Sequence, residues 1–125
     1  MLKVLLVDDE PFIVQGLSAL IDWEKEGFEI VGTAGNGSEA VEFLKSNPVD
    51  LILADIKMPV MNGLVFLKYI RETHLSEAFF VILSGYGDFT YAKEAIKWQC
   101  TDYILKPIQK SQLLALLSKV KQMQQ

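Results

Sequence analysis

Acidic side chains follow two apolar runs that read as β-strands. Asp8 and Asp9 come directly after the run Leu2–Val7, and Asp55 comes directly after the run 51–54. If these strands are parallel neighbours, the acids share one crevice outside the carboxyl ends of the sheet. Two like charges about 4 Å apart repel by about 4 kcal/mol at an effective dielectric near 20. Such a cluster needs a cation or raised pKa values, and oxygen ligands without Cys or His favour Mg²⁺.

Two further polar residues end later apolar runs. Ser84 follows the run 79–83, and Lys106 follows the run 101–105. Taken singly, a terminal lysine is usually a solvated charge, and a serine before glycine is usually a turn residue. Together with Asp55 they are the parts that would place a phosphoryl group on a carboxylate: a nucleophile, Mg²⁺, a second cation and a hydroxyl donor.

The elements that must position these residues alternate along the chain. The predicted strands are Leu2–Val7, Phe28–Ala34, 51–54, 79–83 and 101–105. The first predicted helix covers 11–22, the second begins at Asn36, the third begins at Asn62, and the fourth begins at a cap formed by Asp88. The fifth helix is the last element of the chain, and its predicted inward residues are Leu113, Leu116, Leu117 and Val120. In the fourth helix Ala92, Ala95 and Ile96 are predicted to face the core. Near-continuous apolar strands indicate an α/β fold, a doubly wound five-stranded parallel sheet covered on both faces.

Composition limits the class of protein. A chain of 125 residues that is 50% hydrophobic predicts one domain over 1–125 with a sizeable core. The net charge of −4 disfavours direct contact with nucleic acid. Cys100 is the only cysteine, no run has the length of a membrane span, and Met1 leads straight into a strand instead of a signal peptide. We therefore expect a cytoplasmic protein with no membrane contact.

The chain resembles a response-regulator receiver domain of two-component signalling over essentially its whole length. That family has an acidic pair after the first strand, an aspartate after the third, Ser or Thr after the fourth and Lys-Pro after the fifth. The corresponding residues here are Asp8-Asp9, Asp55 with Pro59 and Gly63 behind it, Ser84-Gly85 and Lys106-Pro107. The resemblance implies the (βα)5 flavodoxin-like receiver fold with strand order 2-1-3-4-5.

The same resemblance implies the roles of the acidic residues. Asp55 is expected to accept a phosphoryl group from a sensor histidine kinase. Asp9 and Asp55 are expected to bind Mg²⁺ directly, Asp8 through water, and Lys57 through its backbone carbonyl. By this resemblance the chain is a phosphoacceptor that promotes its own phosphorylation and dephosphorylation, and it is not an enzyme acting on other substrates.

The remaining implied roles concern the switch. Lys106 is expected to contact the phosphoryl group, with a cis peptide between Lys106 and Pro107, and Ser84 and Tyr103 are expected to form the switch pair. If the Ser84 hydroxyl moves to the phosphate, Tyr103 fills the space it leaves and the face of helix 4, strand 5 and helix 5 is repacked. This face is also the expected surface of a homodimer. The alternative for Tyr103 is an ordinary half-buried strand residue.

Two bulky residues flank the expected phosphoryl site. Lys57 lies two residues after Asp55, and Tyr86 lies two residues after Ser84. Neither side chain is a carboxylate or carboxamide that could orient an attacking water, and their bulk works against water entry. The sequence therefore predicts slow spontaneous hydrolysis of the phosphorylated form.

Segments 20–40 and 84–96 narrow the resemblance. They are similar to receivers that precede an AraC-type (YesN-like) DNA-binding module in Gram-positive regulators. We expect an output in transcription regulation, with the DNA contacts outside these residues. The polar tail 119–125 is either a natural terminus or the start of a linker.

Other functions remain open at this point. Gly35-x-Gly37-x-x-Ala40 mimics a dinucleotide fingerprint, but it does not follow the first strand. A Mg²⁺-dependent phosphohydrolase would want a second acid where Lys57 stands. A flavin- or nucleotide-binding module lacks a convincing phosphate loop, and the intact set of acids, serine and lysine disfavours a pseudo-receiver used only for contacts. Trp98 belongs either to the core, which is favoured, or to an output surface.

Overall fold

In a computed structural model, the part of the chain that the structure describes alternates five strands with five helices. The structure describes residues 1–85 and 91–124. The strands are β1 (Leu2–Val7), β2 (Phe28–Ala34), β3 (Leu51–Asp55), β4 (Phe79–Ser84) and β5 (Asp102–Leu105). The helices are α1 (Pro11–Leu20), α2 (Gly37–Ser46), α3 (Gly63–Glu72), α4 (Ala92–Lys97) and α5 (Lys110–Gln124).

The strands form one parallel sheet in the order β2-β1-β3-β4-β5, as the resemblance implied. In this order Val7 pairs with Ala54 and Asp55 pairs with Leu83. Because all strands run the same way, the residues that follow β1, β3, β4 and β5 meet at one edge of the sheet. Within residues 1–85 and 91–124, no helix combines the length and the apolar character that a membrane span requires.

Helices cover both faces of the sheet, which confirms the doubly wound prediction. Residues of α1 and α5 pack with Val4, Leu6, Leu53 and Leu83 on one face. Residues of α2, α3 and α4 pack with Leu5, Ile52 and Ile82 on the other. Alternate residues of the same strand thus face different helix layers, and both layers are apolar. Such two-sided burial requires the near-continuous apolar strands seen in the sequence.

Capping explains where α2 and α3 begin. The Asn36 side chain accepts a hydrogen bond from the Glu39 backbone N–H at 2.9 Å, and Asn62 accepts one from Val65 N–H at 2.8 Å. Both asparagines therefore satisfy a backbone donor that the first helical turn leaves unpaired.

Trp23 is buried in the core, where its indole N–H donates to the Leu17 carbonyl at 3.0 Å.

The prediction for the fourth helix was wrong at Ile96. Ala95 is fully buried, but the Ile96 side chain is 74% exposed. Since α4 has only six residues, it turns a single buried position toward the sheet, and the next residue lies about 100° further around the helix. The same six residues leave an apolar side chain on the outer surface. The predicted cap Asp88 lies outside the described residues.

Four boundaries also differ by one or two residues. Strands β3 and β4 each end one residue later than predicted, at Asp55 and Ser84. The first helix ends at Leu20, because Ile21 has extended backbone angles, whereas the sequence predicted its end at Asp22. The fifth strand begins at Asp102 and not at Thr101, whose hydroxyl oxygen instead accepts a hydrogen bond from Phe80 N–H at 3.0 Å. Periodicity does not register such local changes of backbone direction.

Candidate functional site

Three predicted acids come together at the carboxyl edge of the sheet. One carboxylate oxygen from each of Asp8, Asp9 and Asp55 lies within 4.8 Å of the others. Asp8 and Asp55 are each only 6% exposed, while Asp9 lies on the surface of the cluster. Burial of two acids beside a third is costly unless cations or donors compensate.

Lys106 reaches this cluster from β5. Its ammonium nitrogen lies 2.9 Å from Asp8 Oδ2 and 3.2 Å from Asp55 Oδ2. The Lys106 backbone N–H donates to the Ser84 carbonyl at 2.7 Å, which fixes the start of the loop that carries the lysine. The peptide between Lys106 and Pro107 is cis, as the resemblance implied.

The charges in the cluster do not balance. Burial raises the pKa of Asp55, the Lys106 ammonium opposes this rise, and the charge of Asp8 adds to it, so that the pKa is raised overall. Burial lowers the pKa of Lys106, but the hydrogen bond to Asp8 and the charge of Asp55 outweigh it, and the pKa is raised. Among the described residues the cluster has three carboxylates and this one ammonium, which contacts two of them, so an excess of negative charge remains. An all-oxygen donor set with excess negative charge fits Mg²⁺.

Close packing of the backbone holds Asp55 in place. Its Oδ1 accepts a hydrogen bond from Ile56 N–H at 2.8 Å, and the Ile56 carbonyl accepts one from Gly63 N–H at 2.9 Å. A Cβ atom at Gly63 would overlap the Asp55 carbonyl oxygen, so that only glycine permits this approach of α3 to the end of β3. The Pro59–Gly63 segment thus serves to close the backbone behind the carboxylate.

Ser84 and Tyr103 lie on the same face of the sheet. Ile82 packs against the α2–α4 layer, so Ser84, two residues further along β4, points to the same side. Tyr103 is the register partner of Ile82, and it packs against the same layer. The Ser84 side chain is fully buried, and its hydroxyl donates to the Gly85 carbonyl over a long 3.4 Å. The structure therefore places the predicted switch pair on neighbouring strands, on the side of the sheet that α2, α3 and α4 cover.

The two flanking residues are only partly described. Lys57 lines a pocket of about 330 Å³ together with Asp9, Asn62 and Tyr91. Its side chain is exposed at the rim of the acidic cluster. Tyr86 lies outside the described residues.

The glycines of the apparent dinucleotide fingerprint have a different use. A Cβ at Gly37 would lie 2.7 Å from the Met61 side chain and 2.9 Å from the Met61 carbonyl oxygen. The Gly35 N–H donates to the Glu39 carboxylate at 3.0 Å. An anion at this helix terminus would have to displace that carboxylate, so the motif serves packing and capping.

Sequence reasoning missed an apolar groove next to Lys106. It has a volume of about 480 Å³ and lies between α1 and the residues after β5. The Phe12 side chain is 83% exposed at its rim, and Gly16 has open space where a Cβ would be. The signal in the sequence was a phenylalanine directly after Pro11, at a position that the helical period places outside the core.

The chain is similar to known proteins over most of its length. The family described as "Response regulator receiver domain" matches residues 4–118. The uncharacterized transcriptional regulatory protein YesN of Bacillus subtilis (strain 168) is 39% identical over 120 residues, which are 96% of this chain and 32% of that protein. The transcriptional regulatory protein HptR of Staphylococcus aureus (strain N315) is 37% identical over 96% of this chain and 46% of its own length. This chain therefore spans a third to a half of the length of these relatives.

Solved structures agree with the sequence relatives. The REC domain of AraT, a response regulator from Geobacillus stearothermophilus, superimposes with a TM-score of 0.90 at 39% identity, covering 98% of this chain and 95% of that one. A two-component transcriptional regulator AraC from Clostridium phytofermentans ISDg gives a TM-score of 0.86 at 32% identity, covering 98% and 94%. With the family match over most of its length, the chain belongs to the response-regulator receiver domains of two-component signalling.

Proposed function

We propose that Asp55 accepts a phosphoryl group from a sensor histidine kinase and that this modification switches an output in transcription. The observation that carries the proposal is the convergence of Asp8, Asp9 and Asp55 within 4.8 Å, with Lys106 bonded to two of them. These residues lie at the ends of three strands: Asp8 and Asp9 follow β1, Asp55 ends β3, and Lys106 follows β5. The whole described chain acts as one phosphoacceptor domain in this proposal.

The transfer needs few steps from the protein. A carboxylate oxygen of Asp55 attacks the phosphorus of a phosphohistidine, the P–N bond breaks, and its electron pair returns to the imidazole nitrogen. Asp8, Asp9, Asp55 and the Lys57 carbonyl would hold Mg²⁺, which supplies positive charge against the phosphoryl oxygens when bound. Lys106 remains beside the new acyl phosphate as a cation, and the Ser84 hydroxyl supplies a neutral donor.

The apolar groove supports a protein as the phosphoryl donor. It is lined by Lys106 itself together with Ile13, Leu17 and Ile108, and Phe12 projects at its edge. A helix that carries the phosphohistidine could bury its apolar side chains here while the histidine reaches Asp55. Phe12→Ala should slow transfer from a phosphorylated kinase domain and leave modification by phosphoramidate, which has a P–N bond but no protein surface, unchanged.

Phosphorylation should act on the face of α4, β5 and α5. A dianionic group on Asp55 draws the Ser84 hydroxyl toward it, and Tyr103 lies on the same side of the neighbouring strand. Ile96 and Leu105, which are 74% and 36% exposed, leave apolar surface on this face for a partner. We propose a second copy of the chain as that partner, with DNA bound by another part of the full protein. Transfer from a kinase that uses ATP places this chemistry in the cytoplasm.

The lifetime of the phosphorylated form is part of the proposal. Lys57 stands at the rim of the cluster and offers no carboxylate or carboxamide to an attacking water. The chain would promote its own dephosphorylation only slowly. The double variant Lys57→Asn, Tyr86→Glu should shorten the phosphoryl lifetime, and an unchanged lifetime would contradict this part.

Acetyl phosphate with Mg²⁺ tests the central proposal without the kinase. Intact mass should show one added phosphoryl group on the parent chain and none on Asp55→Asn. Asp102→Asn is the matched control, because Asp102 is an aspartate on β5 that pairs with Lys119 outside the cluster. Modification of Asp55→Asn would contradict Asp55 as the phosphoacceptor. Turnover of external phosphate esters by the parent would favour a phosphohydrolase.

A further inference from the structure

Arg71 is the only arginine in the sequence. It contacts the residues that precede β4, at the end of the sheet opposite the acidic cluster. It stands in the last turn of α3 and is partly buried. Burial lowers the pKa of its guanidinium. No special role for this residue is evident from its position in the sequence, because an arginine late in a helix usually stabilises the helix dipole and lies in solvent.

The guanidinium joins two separate connections of the chain. It donates to the carbonyls of Ser76 and Ala78, which precede β4, at 2.9 and 2.8 Å. It also donates to the carbonyls of Trp98 and Gln99, which follow α4, at 3.2 Å each. All of these acceptors are neutral backbone oxygens. A planar fork with several donors can span both connections at once, whereas a lysine ammonium is a single point.

The rest of α4 is held weakly by comparison. Of its six described residues only Ala95 is buried, and its N-cap residue Tyr91 makes no side-chain cap. At the other end, the backbone N–H groups of Trp98, Gln99 and Cys100 all donate to carbonyls of α4. These bonds tie residues 98–100 to α4, so the Arg71 contacts with Trp98 and Gln99 fix the C-terminal end of the helix, while Ala95 is the one buried residue among those described in α4.

Trp98, which follows α4, has an indole ring that lies near two ammonium groups. Its indole N–H is buried and has no hydrogen-bond partner among the described residues. The ammonium groups of Lys68 from α3 and Lys97 from α4 lie 5.8 and 5.6 Å from its ring centroid. A buried donor without an acceptor costs free energy, so a small rotation that provides one is favoured.

We propose that Arg71 is the fulcrum of the phosphorylation switch. It holds the C-terminal end of α4 to the connection before β4, so that a change at Ser84 rotates α4 about Trp98 and does not displace the helix as a whole. Arg71 is then a positioning residue, because it contacts neither Asp55 nor the phosphoryl group. The inference rests on the proposed phosphorylation of Asp55.

Hydrogen exchange along α4 tests the fulcrum. The parent chain is phosphorylated with acetyl phosphate and Mg²⁺, and intact mass gives the fraction modified. Amide exchange near Ala92 should change about tenfold on phosphorylation, while the amides of residues 98–100 stay constant. In Arg71→Lys, which retains the charge but not the fork, the change should be similar at both ends at the same phosphoryl occupancy.

Trp98 fluorescence gives an independent readout in a Trp23→Phe background. Because Arg71 holds residue 98 in place, the Trp98 emission should change little on phosphorylation of the parent, and the change should be at least about fivefold larger in Arg71→Lys. Leu44→Ala is the control for stability, because Leu44 is a buried residue of α2 without contact to the guanidinium. It should lower the melting temperature and keep both the exchange gradient and the small emission change.

The outcomes separate this inference from the proposed function. A parent chain that gains no phosphoryl group contradicts the proposed function. If amide exchange changes equally along α4 in a fully phosphorylated parent, Arg71 is not the fulcrum of the switch. The same conclusion follows if Arg71→Lys keeps the difference in exchange between the two ends of α4. Because the gradient in the parent is itself decisive, the test stands even if Arg71→Lys does not fold.

Discussion

Lys106 and Arg71 are partly buried cations at opposite ends of the same sheet. Lys106 meets two carboxylates at the carboxyl ends of the strands, and the cluster around it keeps excess negative charge. Arg71 meets four backbone carbonyls before β4 and β5. A point charge among acids leaves room for another charged ligand, while a fork bound by neutral acceptors leaves none. The end of the sheet with Lys106 can thus bind a further charged ligand, whereas the end with Arg71 is held by hydrogen bonds.

The largest expected effect concerns the backbone behind Asp55. Gly63→Ala should lower the free energy of unfolding by about 3 kcal/mol or more, because the new Cβ would overlap the Asp55 carbonyl oxygen. Urea unfolding measures the change. Gly16→Ala is the control: among the described residues no atom beyond its chain neighbours and its own helix backbone lies within 4 Å of the Cβ position, and it should raise stability by about 0.5–1 kcal/mol. An unchanged Gly63→Ala variant would show that the reactive end tolerates rearrangement.

Arg71→Met tests the fixed end. Four carbonyls would lose a charged donor, and the free energy of unfolding should fall by about 2–3 kcal/mol. Lys68→Met is the control: it removes a surface charge near Trp98 and should change the free energy of unfolding by less than about 0.5 kcal/mol. Equal losses in the two variants would mean that the carbonyl contacts of Arg71 contribute little.

Mg²⁺ should distinguish the two ends without a mutation of either. At ten times its Kd, binding should add about 1.4 kcal/mol to the stability of the parent, as seen in the melting temperature. Arg71→Met should show the same gain, since the guanidinium lies outside the acidic cluster. Asp55→Asn should show a smaller one. A gain that Asp55→Asn retains in full would place the metal elsewhere.

The smallest effect is a gain in stability on removing a charge. The pKa of Asp55 is raised in the folded chain, so its contribution to stability is complete below the unfolded pKa and is lost as the pH rises through the folded pKa. At neutral pH the ionised carboxyl therefore destabilises the metal-free fold, and Asp55→Asn should be more stable by about 1 kcal/mol. Glu42→Gln, which breaks an exposed pair with Lys45, should change stability by less than about 0.5 kcal/mol. A destabilised Asp55→Asn would show that Lys106 outweighs burial.

Most of the architecture was readable from the sequence. Apolar runs, the caps Asn36 and Asn62 and the inward residues of α5 are local or periodic signals, and the structure confirms them. The prediction that Ile96 faces the core was wrong, because periodicity alone does not set the length of a helix, and this length decides how many positions reach the core. The apolar groove was missed for a related reason: a groove forms between elements that are distant in sequence.

The sequence by itself determined which chemical groups the site contains and that each follows a strand, because residue type and strand ends are encoded locally. Only the tertiary structure decided that Lys106 bonds to both Asp8 and Asp55, and that Arg71 joins the connections before β4 and β5. These contacts depend on the order of the strands and on side-chain reach across many residues. Long-range contacts of this kind leave no periodic trace in the chain, so they become visible only when the sheet is assembled.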